Sequence, residues 1–389
     1  MKLFINNIYN SIVKVTGKGK HFLHEPLFDK NENKFVCRAI NSQFISTAGE
    51  NTYQFEKKIS NLTKSKYCVS TVSGTSAIQI ALLASGIKPY DEVLVPSLTF
   101  IGTANAISHC GAIPHFIDSE ITNFGVDVEK LRDYLKKNFK IQKDTLINKK
   151  TRRKVKAIVP VHVFGHACSI NEINKIAKEF KLKVIEDAAE ALGSYQTSKH
   201  LGTYSLFGCL SFNGNKIITT GGGGAIITDN YRYFKIAKHL ATTAKIPHKY
   251  KYIHDKVGFN YRMPSLNASI GIAQLLKLKK FLSAKRQLYY EYEKSFSNLD
   301  GVKIYKEAKN SKSNYWLQTI VLDDKYKKFK EKIIKYCISK NIFVRPSWTL
   351  LSELKPYKYF PKMNLSGAKN IEKSIINLPS SQSIILKKK

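Results

Sequence analysis

Ser211-Phe212-Asn213-Gly214-Asn215-Lys216-Ile217-Ile218-Thr219-Thr220-Gly221-Gly222-Gly223-Gly224 sets one lysine among small residues, after an apolar run from Leu206 to Leu210 and before four consecutive glycines. Most other lysines of the chain keep charged company. Glycines let backbone approach a ligand closely, and a lysine in such surroundings can lose its proton and attack a carbonyl, as Schiff-base lysines do. Taken alone, the stretch also suits a glycine-rich hairpin carrying a surface lysine. It lacks the Gly-Lys-Ser/Thr ending of a nucleotide-triphosphate loop.

Upstream, Val184-Ile185-Glu186-Asp187-Ala188-Ala189-Glu190-Ala191-Leu192-Gly193 ends an apolar strand with an acid, and open α/β sheets bind ligands at the carboxyl ends of their strands. Asp187 alone would read as a helix N-cap. About 30 residues before a candidate Schiff-base lysine, it reads better as the partner of the protonated pyridine nitrogen of pyridoxal phosphate. Further upstream, Ser73-Gly74-Thr75-Ser76 opens a helix after an apolar strand, so its free amides and small hydroxyls make a phosphate site. Phosphate cup, pyridine partner and lysine thus occur in one chain and in this order.

Short apolar runs alternate with amphipathic stretches from about residue 66, which predicts an α/β fold with a mostly parallel sheet flanked by helices. Strands are expected at 67–72, 92–95, 113–117, 155–161, 182–186 and 206–210, with helices at 73–84, 102–110 and 170–180. The polar, lysine-rich run 138–156 reads as a surface excursion. After Leu275 the pattern changes to a long charged helix, strands near 302–305, 315–322 and 342–345, and a helix at 326–340. Residues 1–275 are therefore expected to form an N-terminal segment and a large α/β domain, and 276–389 a smaller C-terminal α+β domain.

The 389 residues carry 64 Lys plus Arg against 29 Asp plus Glu, a net charge of +35. Charge alone would suit a basic nucleic-acid-binding protein. The excess is nearly all lysine and spread along the chain, however, whereas base and phosphate readout favours arginine. A lysine-rich solvated surface that attracts anionic substrates is the preferred reading, with no nucleic-acid partner. No stretch has the length and apolarity of a membrane span. Six cysteines stand singly, without metal-binding spacing, so a cytoplasmic protein with reduced thiols and no metal is expected.

With lysine, acid and phosphate turn in place, the chain resembles the DegT/DnrJ/StrS family of sugar aminotransferases, within the fold-type I pyridoxal-phosphate enzymes. The likeness is greatest to the branch of legionaminic-acid and related amino-sugar pathways. It is carried by His24-Glu25-Pro26, Phe44-Ile45-Ser46, Ser73 to Ala77, Leu98-Thr99-Phe100 and Val161 to His166, then by the acidic and lysine segments, Gly258 to Met263, Asn314 to Gln318 and Arg345 to Trp348. Lys216 and Asp187 would be catalytic. The cofactor would be held by Gly74, Thr75, Ser76 and Ser211 at its phosphate, Phe100 on its ring face, Asp187 at its pyridine nitrogen and Glu190 near its phenolic oxygen.

Asn260 would reach the phosphate from the partner subunit of a homodimer with shared sites. Arg262, Trp316 and Trp348 are the candidate substrate contacts. The resemblance implies transfer of an amino group from L-glutamate to C4 of a nucleotide-linked 4-keto-6-deoxy-N-acetylhexosamine. An enzyme of small amino acids is the alternative within the fold. Asn213 departs from the family, many of whose members carry His there; the retained Lys216 argues against the family's dehydratase branch.

Overall fold

The alternating apolar runs become the strands of one layered sheet. In the computed structural model, which describes residues 1–387, these are β1 (Tyr67–Thr71), β2 (Glu92–Pro96), β3 (Ile113–Ile117), β4 (Phe139–Gln142), β5 (Thr145–Asn148), β6 (Lys154–Ile158) and β7 (Lys183–Asp187). After the short hairpin of β8 (Tyr195–Gln196) and β9 (Lys199–His200) come β10 (Phe207–Ser211) and β11 (Gly224–Thr228). The path across the sheet is β1-β11-β10-β7-β6-β2-β3, and along it only β11 runs antiparallel to its neighbours. Every residue of β2 and β11 is buried, because helices cover both faces.

Ahead of the sheet lie α1 (Lys2–Thr16), α2 (Lys30–Asn41) and α3 (Glu50–Thr63). Asp29 starts α2 with a capping box: its carboxylate accepts from the Asn31 amide, and Glu32 reaches back to the Asp29 amide at 2.7 Å. The first crossover helix, α4 (Gly74–Ala84), is buried almost all round, and α5 (Ile101–His109) packs beside it. The crossovers α6 (Val128–Asn138) and α7 (Ile170–Glu179) follow, then α8 (Tyr231–Ala241) and the hairpin of β12 (Lys245–Ile246) and β13 (Ile253–His254).

The long helix α9 (Ser265–Phe296) starts ten residues before the change of pattern in the sequence, because its first turns are small and apolar and lack a polar face. Residue 275 lies inside it, and its two halves serve two cores. Ala268, Ile272, Leu278 and Phe281 pack with Phe55 and Ile59 of α3, whereas Ala284, Leu288, Tyr292 and Phe296 pack with Ile5, Ile8, Ile12 and Val15 of α1. The second core also takes in the antiparallel sheet of β14 (Val302–Ile304), β16 (Gln318–Leu322), β17 (Arg345–Pro346) and β18 (Ile375–Leu378), with β15 (Ser311–Lys312) paired instead to β8. The expected strand start at Tyr315 moves to Gln318 because Tyr315 has φ 47°, a turn conformation. No helix among the described residues is long and apolar enough to cross a membrane.

The run expected as a surface excursion is a hairpin, β4 with β5, laid against β6 with its turn exposed. What orders it is a buried acid on β2: Glu92 accepts hydrogen bonds from Asn148 at 2.9 Å and Thr151 at 2.5 Å and faces His115 at 2.8 Å.

Packing is close where β10 passes the loop ahead of it. A Cβ on Gly208 would lie 2.0 Å from the Gly202 carbonyl oxygen, while the Gly202 amide is tied to Glu186 at 2.8 Å. Gly208→Ala is therefore expected to lose about 3 kcal/mol or more, the upper range of overpacking costs. Urea unfolding measures it, and an unchanged midpoint would mean that this loop yields freely.

Candidate active site

The carboxyl edge of the sheet brings β1, β2, β7 and β10 to one cavity of ≈ 350 Å³. Of the residues singled out from the sequence, Gly74, Thr75, Phe100, Asp187, Glu190, Ser211, Lys216, Trp316 and Trp348 line it. Gly222 and Gly223 complete the wall beside the lysine. Segments more than 200 residues apart in sequence thus converge on one space.

Asp187 ends β7, and its two oxygens accept from the Thr103 hydroxyl at 2.7 Å and the Ala189 amide at 3.1 Å. A carboxylate has about four lone-pair sites; two contacts leave it acceptor capacity toward the cavity. Glu190, three residues on, takes the Phe164 amide on one oxygen at 2.8 Å and the Lys216 Nζ on the other at 3.2 Å. Both acids are buried. Burial raises Asp187 and Glu190 above the ordinary carboxylate range, and for both Lys216 pulls in the opposite direction. The Lys216 amine also lies 3.9 Å from the centre of the Trp316 ring, and the indole N–H donates to the Asn215 carbonyl at 2.6 Å.

At the other end of the cavity α4 points its amino terminus inward. Ser73 caps it, taking the Ser76 amide at 3.0 Å and meeting the Ser76 hydroxyl at 2.7 Å. Helix geometry leaves the first amides without intrahelical partners, so those of Gly74 and Thr75 face the cavity. Gly74 must be glycine for this closeness: a Cβ there would meet the Ser211 Cβ at 2.8 Å. Amide donors, a helix dipole and the Ser211 hydroxyl fit a phosphate group.

Ser76 stands outside this arrangement, engaged by Ser73 and absent from the lining. Asn260 is exposed, in a bridge with Thr242, and Arg262 bridges Thr71 at the end of β1; neither lines the cavity of its own chain. Two contributors escaped the sequence reading. Thr103 falls four residues after Thr99 on the first turn of α5, a spacing that would have shown it. Phe164 holds φ 55°, a costly conformation for a non-glycine residue, and this aims its amide at Glu190. Its ring also packs on Trp348, with centroids 4.9 Å apart.

The donor set suits pyridoxal phosphate: an anion cradle at one end, a carboxylate with spare acceptor capacity for a ring N–H, and an amine between them beside a second acid. Gly74, Thr75 and Ser211 would hold the phosphate, Asp187 the pyridine nitrogen and Lys216 the aldehyde carbon. Phe100 lines the cavity and is 56% exposed.

Comparison with known proteins agrees with the geometry. A model of the DegT/DnrJ/EryC1/StrS aminotransferase family matches residues 26–388. GDP-perosamine synthase of Escherichia coli O157:H7 is 33% identical over 366 residues, 93% of each chain. The UDP-4-amino-4,6-dideoxy-N-acetyl-beta-L-altrosamine transaminase of Campylobacter jejuni is 29% identical over 363 residues, 92% of each. Among solved structures, the Helicobacter pylori aminotransferase involved in pseudoaminic acid biosynthesis shares the fold with a TM-score of 0.83 at 22% identity, covering 93% of this chain and 94% of that one.

The raised Asp187 carries a stability consequence. Its folded value lies above its unfolded value of about 4, so the cofactor-free protein bears no handicap below that pH, an increasing one as pH rises through the folded value, and the full one above it. Cofactor-free Asp187→Asn should therefore melt higher than wild type at pH 8, with the gap closing toward pH ~4. The same variant should lose about 10–100-fold in turnover, the worth of one charge-assisted hydrogen bond. A variant that melts lower than wild type at pH 8 would contradict the assigned electrostatics.

Proposed function

We propose that this chain, which belongs to the DegT/DnrJ/EryC1/StrS aminotransferase family, moves an amino group from L-glutamate to C4 of a nucleotide-linked 4-keto-6-deoxy-N-acetylhexosamine. The chain is a pyridoxal-phosphate-dependent enzyme. The observation that carries the reading is the convergence of the Lys216 amine with Asp187 and Glu190 opposite a helix amino terminus. Support for the sugar comes from the nucleotide sugars in the relatives' names, a GDP sugar in one case and a UDP N-acetyl sugar in another, and from the likeness of His24-Glu25-Pro26 and the lysine segment to the amino-sugar branch. A net charge of +35 favours approach of a diphosphate-bearing substrate.

Each residue has a part in this reaction. When bound, pyridoxal phosphate supplies an electron sink that lets nitrogen leave one carbon and join another. Asp187, held in place by Thr103, would hold the pyridine nitrogen. Lys216 would hold the aldehyde carbon, and its Nζ is the atom that would carry a proton during the transfer. Glu190, whose carboxylate accepts from that amine at 3.2 Å, orients it. Trp316 and Trp348 wall the cavity against water, leaving a polar, adaptable pocket in which glutamate and the sugar are seated in turn.

A second substrate reading, a GDP-linked 4-keto-6-deoxyhexose without the acetamido group, is favoured by the 33% identity to GDP-perosamine synthase over 93% of both chains. The assay supplies glutamate with 4-keto sugars on UDP, GDP and dTDP, with and without the acetamido group, and follows 2-oxoglutarate and amino-sugar formation. Lys216→Ala should fold, lose the yellow colour of the covalent cofactor and show no multiple turnover. Turnover of simple keto acids with none of the sugars accepted would replace this reading with an amino-acid aminotransferase.

The site is also proposed to be shared between two subunits, with Asn260 reaching the partner's phosphate cradle. Supporting this, Tyr250, Tyr252 and Val257 stand well exposed on and beside the β12–β13 hairpin, next in sequence to Asn260, and large exposed apolar side chains mark interaction surfaces when they cluster. Mixing inactive Lys216→Ala with inactive Asn260→Ala protomers should restore part of the activity, since one hybrid site is then wild type at both positions. Demonstrated heterodimers without activity would refute shared sites.

A further inference from the structure

Lys285 on α9 is entirely enclosed, with 0% exposure, and among the described residues no carboxylate pairs with it. An ammonium out of water without a counter-charge is costly, and burial pushes this lysine well below its ordinary range. The His24 imidazole, which burial and then Lys285 hold well below the usual histidine range, accepts no hydrogen bond from it. The Lys285 amine donates to two carbonyls, Trp316 O at 2.7 Å and Ser380 O.

These carbonyls belong to different segments, the turn ahead of β16 and the loop after β18. The second loop is fixed in turn, as the Ser380 amide donates to Leu23 O at 2.6 Å and its hydroxyl accepts the Gln318 amide at 2.8 Å. From the opposite side Asn314 ties the Trp316 turn to the acidic segment: its side chain accepts the Trp316 amide at 2.8 Å and donates to Glu190 O at 2.8 Å. Trp316 is therefore gripped at its backbone from two directions while its ring faces the Lys216 amine.

We infer that Lys285 is a positioning residue for the aminotransferase site: by clamping the Trp316 and Ser380 carbonyls together it sets the plane of the indole against which the Lys216 amine rests. A group serving only the fold of the C-terminal unit would need no link to the one aromatic ring that touches the lysine. The inference rests on the functional reading of Lys216 above.

The test is a double-mutant cycle on the holoenzyme with Lys285→Met and Trp316→Phe, together with fluorescence of Trp316 in a Trp348→Phe background, where it is the sole tryptophan of the two in the chain. Lys285→Met should lower kcat about tenfold or more with KM changed less than about threefold. The double variant should be no more than about twofold worse than the poorer single one, since both changes remove the same restraint. Lys285→Met should also shift the Trp316 emission to the red. If Lys285→Met gives no soluble protein, Lys285→Gln, which keeps a donor at shorter reach, takes its place in the same cycle. Losses that multiply in the double variant, or an unchanged kcat and emission, overturn the inference. A wild-type enzyme that transfers no amino group defeats the functional reading instead, and the emission then still decides whether Lys285 positions Trp316.

Discussion

Asp187 and Glu190 lie within one turn of chain at the end of β7, both buried, and a carboxylate withdrawn from water costs several kcal/mol unless hydrogen bonds and opposite charge replace its hydration. Much of the surrounding structure supplies those replacements. Thr103 comes from α5, the Phe164 amide from a strained turn after β6, and Lys216 from the segment after β10. Each partner must be brought by a different crossover, so the sheet order, with β7 and β10 adjacent and β1 joined through β11, is what makes the cavity possible. Burial still holds both acids above the ordinary carboxylate range, the usual trade between stability and a site prepared for function.

The neighbouring acid shows the contrast. Glu186, one residue before Asp187, points to the opposite face of β7 and is fully satisfied by the Gly202 amide, the Tyr204 amide and His162 at 2.8, 2.8 and 3.0 Å. His162 accepts the Cys168 amide on its other nitrogen at 3.3 Å, so Nε2 is the atom that carries the hydrogen toward Glu186. Two adjacent acids on one strand thus divide their work by the alternation of side chains across a sheet. Glu186 locks the loop beneath the site, and Asp187 faces the cavity.

The C-terminal unit enters the site through few residues. Trp316 and Trp348 wall the cavity, and Asn314 binds their support to the acidic segment. Helix α9 contributes to both cores and carries Lys285, so it joins the two units by packing and by hydrogen bonding. The large positive charge has no comparable local order: it spreads over the surface and acts on a substrate at a distance.

The sequence by itself determined the α/β alternation and brought forward the Ser73–Ser76 turn, Asp187 and Lys216 as candidates, because each rests on a local rule: periodicity of apolar residues, small residues at a helix start, an acid at a strand end, a lysine before glycines; Glu190 came forward through the family resemblance. The sequence also separated this lysine from dozens of others by the glycines beside it. Only the tertiary structure decided that Ser76 is spent on Ser73 while Thr103 and the Phe164 amide hold the acids, that 139–148 is a hairpin pinned by Glu92, and that α1 packs with the C-terminal sheet. The same holds for Lys285, which in the sequence is one lysine on a charged helix and in the fold is sealed from water. These outcomes depend on contacts between residues far apart in the chain, and a buried polar group's partner is fixed by which segments the packing brings within hydrogen-bond reach, a distance that no local pattern encodes.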